Sequence, residues 1–222
     1  MIDHQHTARG RAELFNQTPA FKRFVAHGAE LRTYNEVLQG IWFLGNNYRG
    51  RSGLYGEFPP GFLLRVFAMF PDVNRVLHLF AGSLTAKAAA ETYRKLHHRR
   101  TKQITMDSAR VIGVAHPTIS GKLPGALDVW HYGGGENFDL CIADPPYSLE
   151  DAKHYGYDKL VSRRATLQAL HQVMCPGAWV AWLDTQWPMH NKTQWLTVGR
   201  IAVVRSTNHR VRLLTLFRKV GK

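Results

Sequence analysis

The sequence predicts an α/β fold: a mostly parallel sheet that closes on an antiparallel hairpin, with a helical extension at the N-terminus. From about residue 73 onward, apolar runs of strand length alternate with helical patterns, as βαβ units require. The last stretch, GRIAVVRSTNHRVRLLTLFRKV, instead gives two β-rich runs about a polar STNH turn, which reads as a hairpin. At 222 residues and 45% hydrophobic content the chain buries a real core in one main domain, taken as 61–222, behind an extension over 1–60.

In chain order, the extension carries a helical pattern over 11–26, a second segment ELRTYNEVLQGIWFL, and the loop GNNYRGRSGLYGEFPPG. NRVLHLFAG (74–82) is the first strand of the main domain and runs into a glycine. SLTAKAAAETYRKLHHRR follows as a crossover helix whose basic end suits a helix C-terminus, His97-His98 included. KQITMD (102–107) reads as the second strand. FDLCIADPPY is a later strand whose apolar residues barely alternate, so both its faces are buried. Between them, a short helix and a short strand around ALDVW are expected. Leu160, Leu167, Leu170 and Met174 then keep helical spacing, and Pro176-Gly177 stops that helix before the strand AWVAWLDTQWP.

The charge balance narrows the partners. A formal net charge of +13, with 29 basic against 16 acidic residues, points to an acidic partner, a phosphate backbone ahead of an anionic membrane surface. GFLLRVFAMF is interrupted by Arg65 and is about half a bilayer span, so no membrane segment is expected. Nothing at the N-terminus marks export, and Cys141 and Cys175 read as buried thiols in a reducing cytoplasm. The twelve histidines lack ligand spacing, so no metal is expected.

An open parallel sheet binds its ligand beyond the carboxyl ends of its strands. Two loops therefore matter. In LFAGSLT, Ala81 and Gly82 let the backbone approach a ligand at a helix N-terminus, although an ordinary tight turn has the same composition. The third glycine of a dinucleotide fingerprint is missing, which argues against a nicotinamide cofactor. In ADPPYS, Pro145 and Pro146 fix the backbone and donate nothing, so the Asp144 carboxylate and the Pro145 carbonyl converge on one group bearing two N–H donors, such as the amine of a base. Tyr147 supplies a ring to stack on it. A proline turn that merely caps a strand is the alternative.

DPPY after one apolar strand and LFAGS after another resemble the class I S-adenosylmethionine-dependent amino-methyltransferases, especially the DNA adenine-N6 and cytosine-N4 enzymes, over roughly residues 55–220. The resemblance implies a Rossmann-like class I methyltransferase fold, a methionine-wrapping loop over Phe80, Ala81, Gly82 and Ser83, and a ribose-binding acid at Asp107. Asp128 is a further candidate, for the cofactor's adenine amine; a surface acid fits its position too. Two departures stand out: His78 replaces the family's acid and Leu84 its second glycine. They imply a modified cofactor site.

The implied chemistry is in-line methyl transfer to an amine held by Asp144 and Pro145, on a base flipped out of its stack. Adenine in DNA comes first. An RNA base, or a nucleic-acid-binding module with a degenerate cofactor site, is the alternative. Lys153, Arg163 and Arg164 after the proline loop, Arg205, Arg210 and Arg212 about the hairpin, and the YRGRSG loop are candidate phosphate contacts. Tyr155 and Tyr157 are candidates to close over the base. Trp187 is read as core.

Overall fold

The computed structural model describes residues 6–22, 30–45, 58–80, 84–98, 102–105, 138–154, 159–205 and 211–221. Helix α1, Ala8–Gln17, starts where Thr7 Oγ1 accepts the Gly10 N–H at 3.0 Å. It stops before Pro19, which has no N–H to continue it and opens a 3₁₀ turn over Pro19–Phe21. The helix expected over 11–26 is therefore shorter, and set earlier.

The extension is not wholly helical. Strands β1 (Arg32–Tyr34) and β2 (Val37–Leu44) form a hairpin about Asn35 and Glu36, whose φ angles of 46° and 62° match the twist of paired strands. In β2, Leu38, Trp42 and Leu44 are buried while Gln39, Ile41 and Phe43 are exposed, the period of two that marks a strand with one covered face. That strand pairs in parallel with a strand at the other end of the chain, so the extension enlarges the sheet rather than merely packing on it.

Then follow α2 (Phe62–Met69), β3 (Arg75–Leu79), α3 (Ala86–His97), β4 (Lys102–Thr105), β5 (Phe138–Ala143), α4 (Leu149–His154), α5 (Arg163–Val173), β6 (Met174–Asp184), β7 (Trp195–Arg205) and β8 (Val211–Lys219). Helix α3 is capped by Thr85 and ends at His98 in the left-handed region, with His97 Nε2 donating to the Phe67 carbonyl at 2.9 Å. Helix α5 stops at Val173, because Met174 already pairs in β6. Pro176 and Gly177 instead sit in the irregular start of β6, where the register against β5 shifts and Gly177 takes φ +73°.

The eight strands lie in the order β1-β2-β7-β8-β6-β5-β3-β4. Strands β3 to β6 are mutually parallel, and β8 inserts antiparallel between β6 and β7. From β4 to β7 this order, with the last strand inserted reversed, is that of the Rossmann-like class I methyltransferase fold, and β1 and β2 extend it at one edge. The short helix and strand expected around ALDVW lie outside the described residues. No described helix is long and apolar enough to cross a membrane. Cys141 is fully buried and Cys175 half-buried.

One core lies under α1, α2 and α3 around Phe15, Trp42, Phe62, Phe67 and Trp179. The other lies under α5 around Leu79, Phe138, Leu167, Trp182 and Phe217. Arg11 ties α1 into the first. Its guanidinium is 1% exposed, donates to the Met69 carbonyl at 2.9 Å, grips both Asp72 oxygens, and stacks over Phe70 and Trp179. Burial pushes the Asp72 carboxyl up, but the Arg11 hydrogen bonds and charge outweigh it and hold the group below its usual range. Arg11→Ala is expected to lower stability in urea by about 3 kcal/mol, the lower end for breaking a buried pair, since Asp72 keeps some water. A loss under about 1 kcal/mol, the surface-pair range, would show that α1 is not anchored there.

Candidate active site

The parallel strands β3, β5 and β6 end on one edge of the sheet, at Leu79, Ala143 and Asp184. Strand β7 runs the same way, since both it and β6 are antiparallel to β8, and it ends there at Arg205. The reversed β8 begins at that edge, bringing Val211 and Arg212 beside the proline corner.

Asp144 is the first residue past β5. Its amide donates to the Leu79 carbonyl at 3.4 Å, which ties the proline corner to the end of β3. Phe80, the next residue on that side, takes φ +58°, a conformation that turns the chain sharply at the start of the glycine loop. Pro145 and Pro146 are buried. The Tyr147 hydroxyl donates to Asp144 Oδ1, and Arg212 caps the pair, its guanidinium 4.6 Å over the Tyr147 ring and its Nη1 3.9 Å from Asp144 Oδ2.

The Asp144 side chain is only 6% exposed. Burial pushes its carboxyl up to about 6; Arg212 and the Tyr147 hydrogen bond oppose the shift, and the Asp184 charge adds to it. Burial also pushes the Tyr147 hydroxyl well up, with the Asp144 charge reinforcing it. The corner thus holds a desolvated acceptor on an immobile backbone, with an aromatic ring and a cation beside it.

Asp184 supports the corner from β6. It is fully buried and accepts from Arg163 Nε at 2.8 Å and Nη2 at 3.2 Å, from Trp182 Nε1 at 3.0 Å and from the Thr185 amide at 2.7 Å. Arg163 is therefore an internal tether between α5 and β6, not the phosphate contact expected on an exposed helix face. Lys153 and Arg164 are exposed as expected. Arg205 is half-buried, its Nε without a partner among the described residues, and burial and the neighbouring Arg212 charge lower its pKa. Trp187 is not core: it is 55% exposed, with the Arg200 guanidinium 4.2 Å over its ring.

On the cofactor side, His78 is fully buried in β3 and its Nε2 lies 2.7 Å from Gln103 Oε1. That oxygen requires the proton on Nε2, which leaves Nδ1 a buried acceptor without a partner among the described residues. Burial lowers the imidazole to about 4, so it stays neutral near pH 7. Leu84 and Thr85 lead into α3 beside Pro59, Pro60 and Gly61, lining a cavity of about 390 Å³. Ala81, Gly82, Ser83, Asp107, Asp128, Tyr155, Tyr157, Arg210 and the YRGRSG loop lie outside the described residues. Among the described residues no cluster of three or more His, Cys, Asp or Glu side chains is placed to hold a metal ion.

Arg212, expected as a phosphate contact about the hairpin turn, instead lies against Asp144 and Tyr147. Its signal was topological: a hairpin whose second strand lies antiparallel beside β6 must begin at the carboxyl edge, so the residues opening β8 face the proline corner.

No protein-family model matches the chain, and no curated protein matches it. Among solved structures it is similar to the N-methyltransferase NodS from Bradyrhizobium japonicum, at 17% identity over 72% of this chain and 93% of that one, with a TM-score of 0.38. The same enzyme with S-adenosyl-L-homocysteine gives 15% identity over 72% and 84%, and a TM-score of 0.39. TrmN from Thermus thermophilus gives 14% identity over 71% of this chain and 48% of that one, with a TM-score of 0.35. Scores this low carry no inference, and the fold class rests on the strand order.

The raised Asp144 carboxyl has a consequence for stability. The native chain holds a proton there up to about pH 6, whereas the unfolded chain releases it near 3.8. Stability is therefore full below the lower value, falls as pH rises through that window, and stays reduced above it. Asp144→Asn removes the charge and keeps an acceptor for Tyr147. By thermal melts it is expected to unfold a few degrees above the wild type at pH 7.5, with the gap closing toward pH 4. A gap of the same size at both pH values would show that the carboxyl is not desolvated.

Proposed function

We propose that the chain is an S-adenosylmethionine-dependent methyltransferase acting on the exocyclic amine of a nucleic-acid base, adenine N6 of DNA in the first place. The observation that carries this is Asp144: a nearly dry carboxyl at the carboxyl edge of a parallel sheet, locked by two prolines and followed by an aromatic ring.

An adenine amine is a poor nucleophile, because its lone pair is spread into the ring. Asp144 and the Pro145 carbonyl, accepting one N–H each, favour a pyramidal nitrogen with its electrons directed at an electrophile. Rigid acceptors in a dry corner reorganise little, which is where most of the acceleration arises. The amine takes the place of the Tyr147 hydroxyl on Asp144 Oδ1, and the released ring, held by Arg212, stacks on the base. Bound S-adenosylmethionine supplies the electrophilic methyl group. Phe80 with Ala81, Gly82, Ser83, Asp107 and Asp128 would hold the cofactor. Methylation makes the surplus amine proton acidic, so Asp144 need only be ionised, not strongly basic. A positive protein of +13 suits the polyanion, with Lys153, Arg164 and Arg210 along its path and the cytoplasm as its setting.

Tritiated-methyl incorporation into DNA, with RNA in parallel, tests this. Asp144→Ala is expected to cost about 100-fold or more, as loss of a preorganised polar group does. Tyr147→Ala is expected to cost about 10-fold or more through lost stacking, whereas Tyr147→Phe, which keeps the ring, stays near wild type. Incorporation should fall as pH drops through about 6, where Asp144 becomes protonated. Undiminished incorporation by folded Asp144→Ala would end the proposal; incorporation into RNA alone would move the substrate and keep the chemistry.

A further inference from the structure

On one face of the sheet, the part formed by β8, β7, β2 and β1 has nothing described covering it. On the α5 side, Trp182 and Asp184 of β6 are buried beneath the helix. Further along, β8, β7, β2 and β1 have no helix above them, because β6 passes to β7 through only residues 185–194. The pairing register aligns that open side: Arg32 lies opposite Gln39, Gln39 opposite Arg200, Ile41 opposite Ala202, and Ala202 opposite Leu213. Tyr34 and Phe43 share this side and are 69% and 67% exposed. Trp187, leaving β6, lies over the same face against Arg200. Together these residues line a shallow depression of about 930 Å³.

We infer that this face is a binding platform for a single nucleic-acid strand, whose bases stack on Tyr34, Phe43 and Trp187 while its backbone follows Arg200. The inference rests on the polynucleotide reading above and adds where the strand runs. Three observations favour this occupant. The face pairs exposed aromatic rings with arginine, the combination that holds unpaired bases, since every base offers a π-face and every nucleotide a phosphate. Among the described residues lining the depression the one acid, Glu30, is paired with Arg32. The face also runs toward the candidate active site: Leu213 lies opposite Asp184 of β6 in the pairing register, and Trp187 stands three residues past Asp184. A second copy of the chain is disfavoured, because each copy carries +13 and the face presents Arg200 to its image.

The test uses the full chain and fluorescein-labelled oligonucleotides, one single-stranded and one duplex, followed by anisotropy at fixed salt. The double variant Phe43→Ala/Trp187→Ala is expected to lose about 10- to 100-fold in single-strand affinity, with a smaller loss for duplex. Both side chains are exposed, so an unchanged melting temperature verifies the fold, and Arg200→Gln provides a second variant that should weaken binding and flatten its salt dependence. Wild-type affinity in both variants overturns the platform. So does a change from dimer to monomer in sedimentation with strand affinity intact, which would make the face a contact between copies. If the variants bind normally and methyl incorporation persists, only the platform fails. If the wild type neither binds nor methylates any polynucleotide, the parent reading fails.

Discussion

Removing Asp144 from water is the constraint on which the rest of the structure turns. A carboxylate with a 6% exposed side chain is costly to ionise, and the chain tolerates it only by surrounding it with a hydroxyl donor from Tyr147 and the Arg212 guanidinium. Neither compensation is complete. The group still sits near pH 6, the condition of a residue kept for chemistry at some expense of stability.

The sheet makes that arrangement possible. One edge receives the ends of the six parallel strands β2 to β7 and, because β8 enters reversed between β6 and β7, the start of β8. Side chains far apart in sequence, Asp144, Asp184, Arg205 and Arg212, then meet at one polar edge. Asp184 and Arg163 hold α5 to that edge through hydrogen bonds that leave little freedom to either partner. Arg11 does the same for α1 at the opposite core. Each buried charge of this kind fixes the position of an element more than it adds to net stability.

The features readable in the sequence were those with local causes. Unbroken apolar runs before a glycine and before DPPY marked β3 and β5, and the polar STNH stretch between β-rich runs marked β7 and β8. The proline corner and its tyrosine were legible because proline restricts the backbone whatever surrounds it. Three things were not legible in that way. Val37–Leu44 alternates with a strand's period, yet its partner β7 lies far along the chain, so its place in the sheet is a long-range fact. Arg163 had the look of a solvated helix residue, and only its pairing with Asp184 makes it internal. Trp187 follows a buried strand and resembles core; it is exposed because the β6–β7 connection brings no helix to cover it.

The central claim, that Asp144 is a desolvated acceptor at the meeting of β5 and β8, is open to one direct measurement: titration of its side-chain carboxyl carbon by NMR, assigned by the loss of that signal in Asp144→Asn. The account predicts a midpoint near 6. A midpoint at the ordinary aspartate value of about 3.9 would place the carboxyl in water and contradict the account.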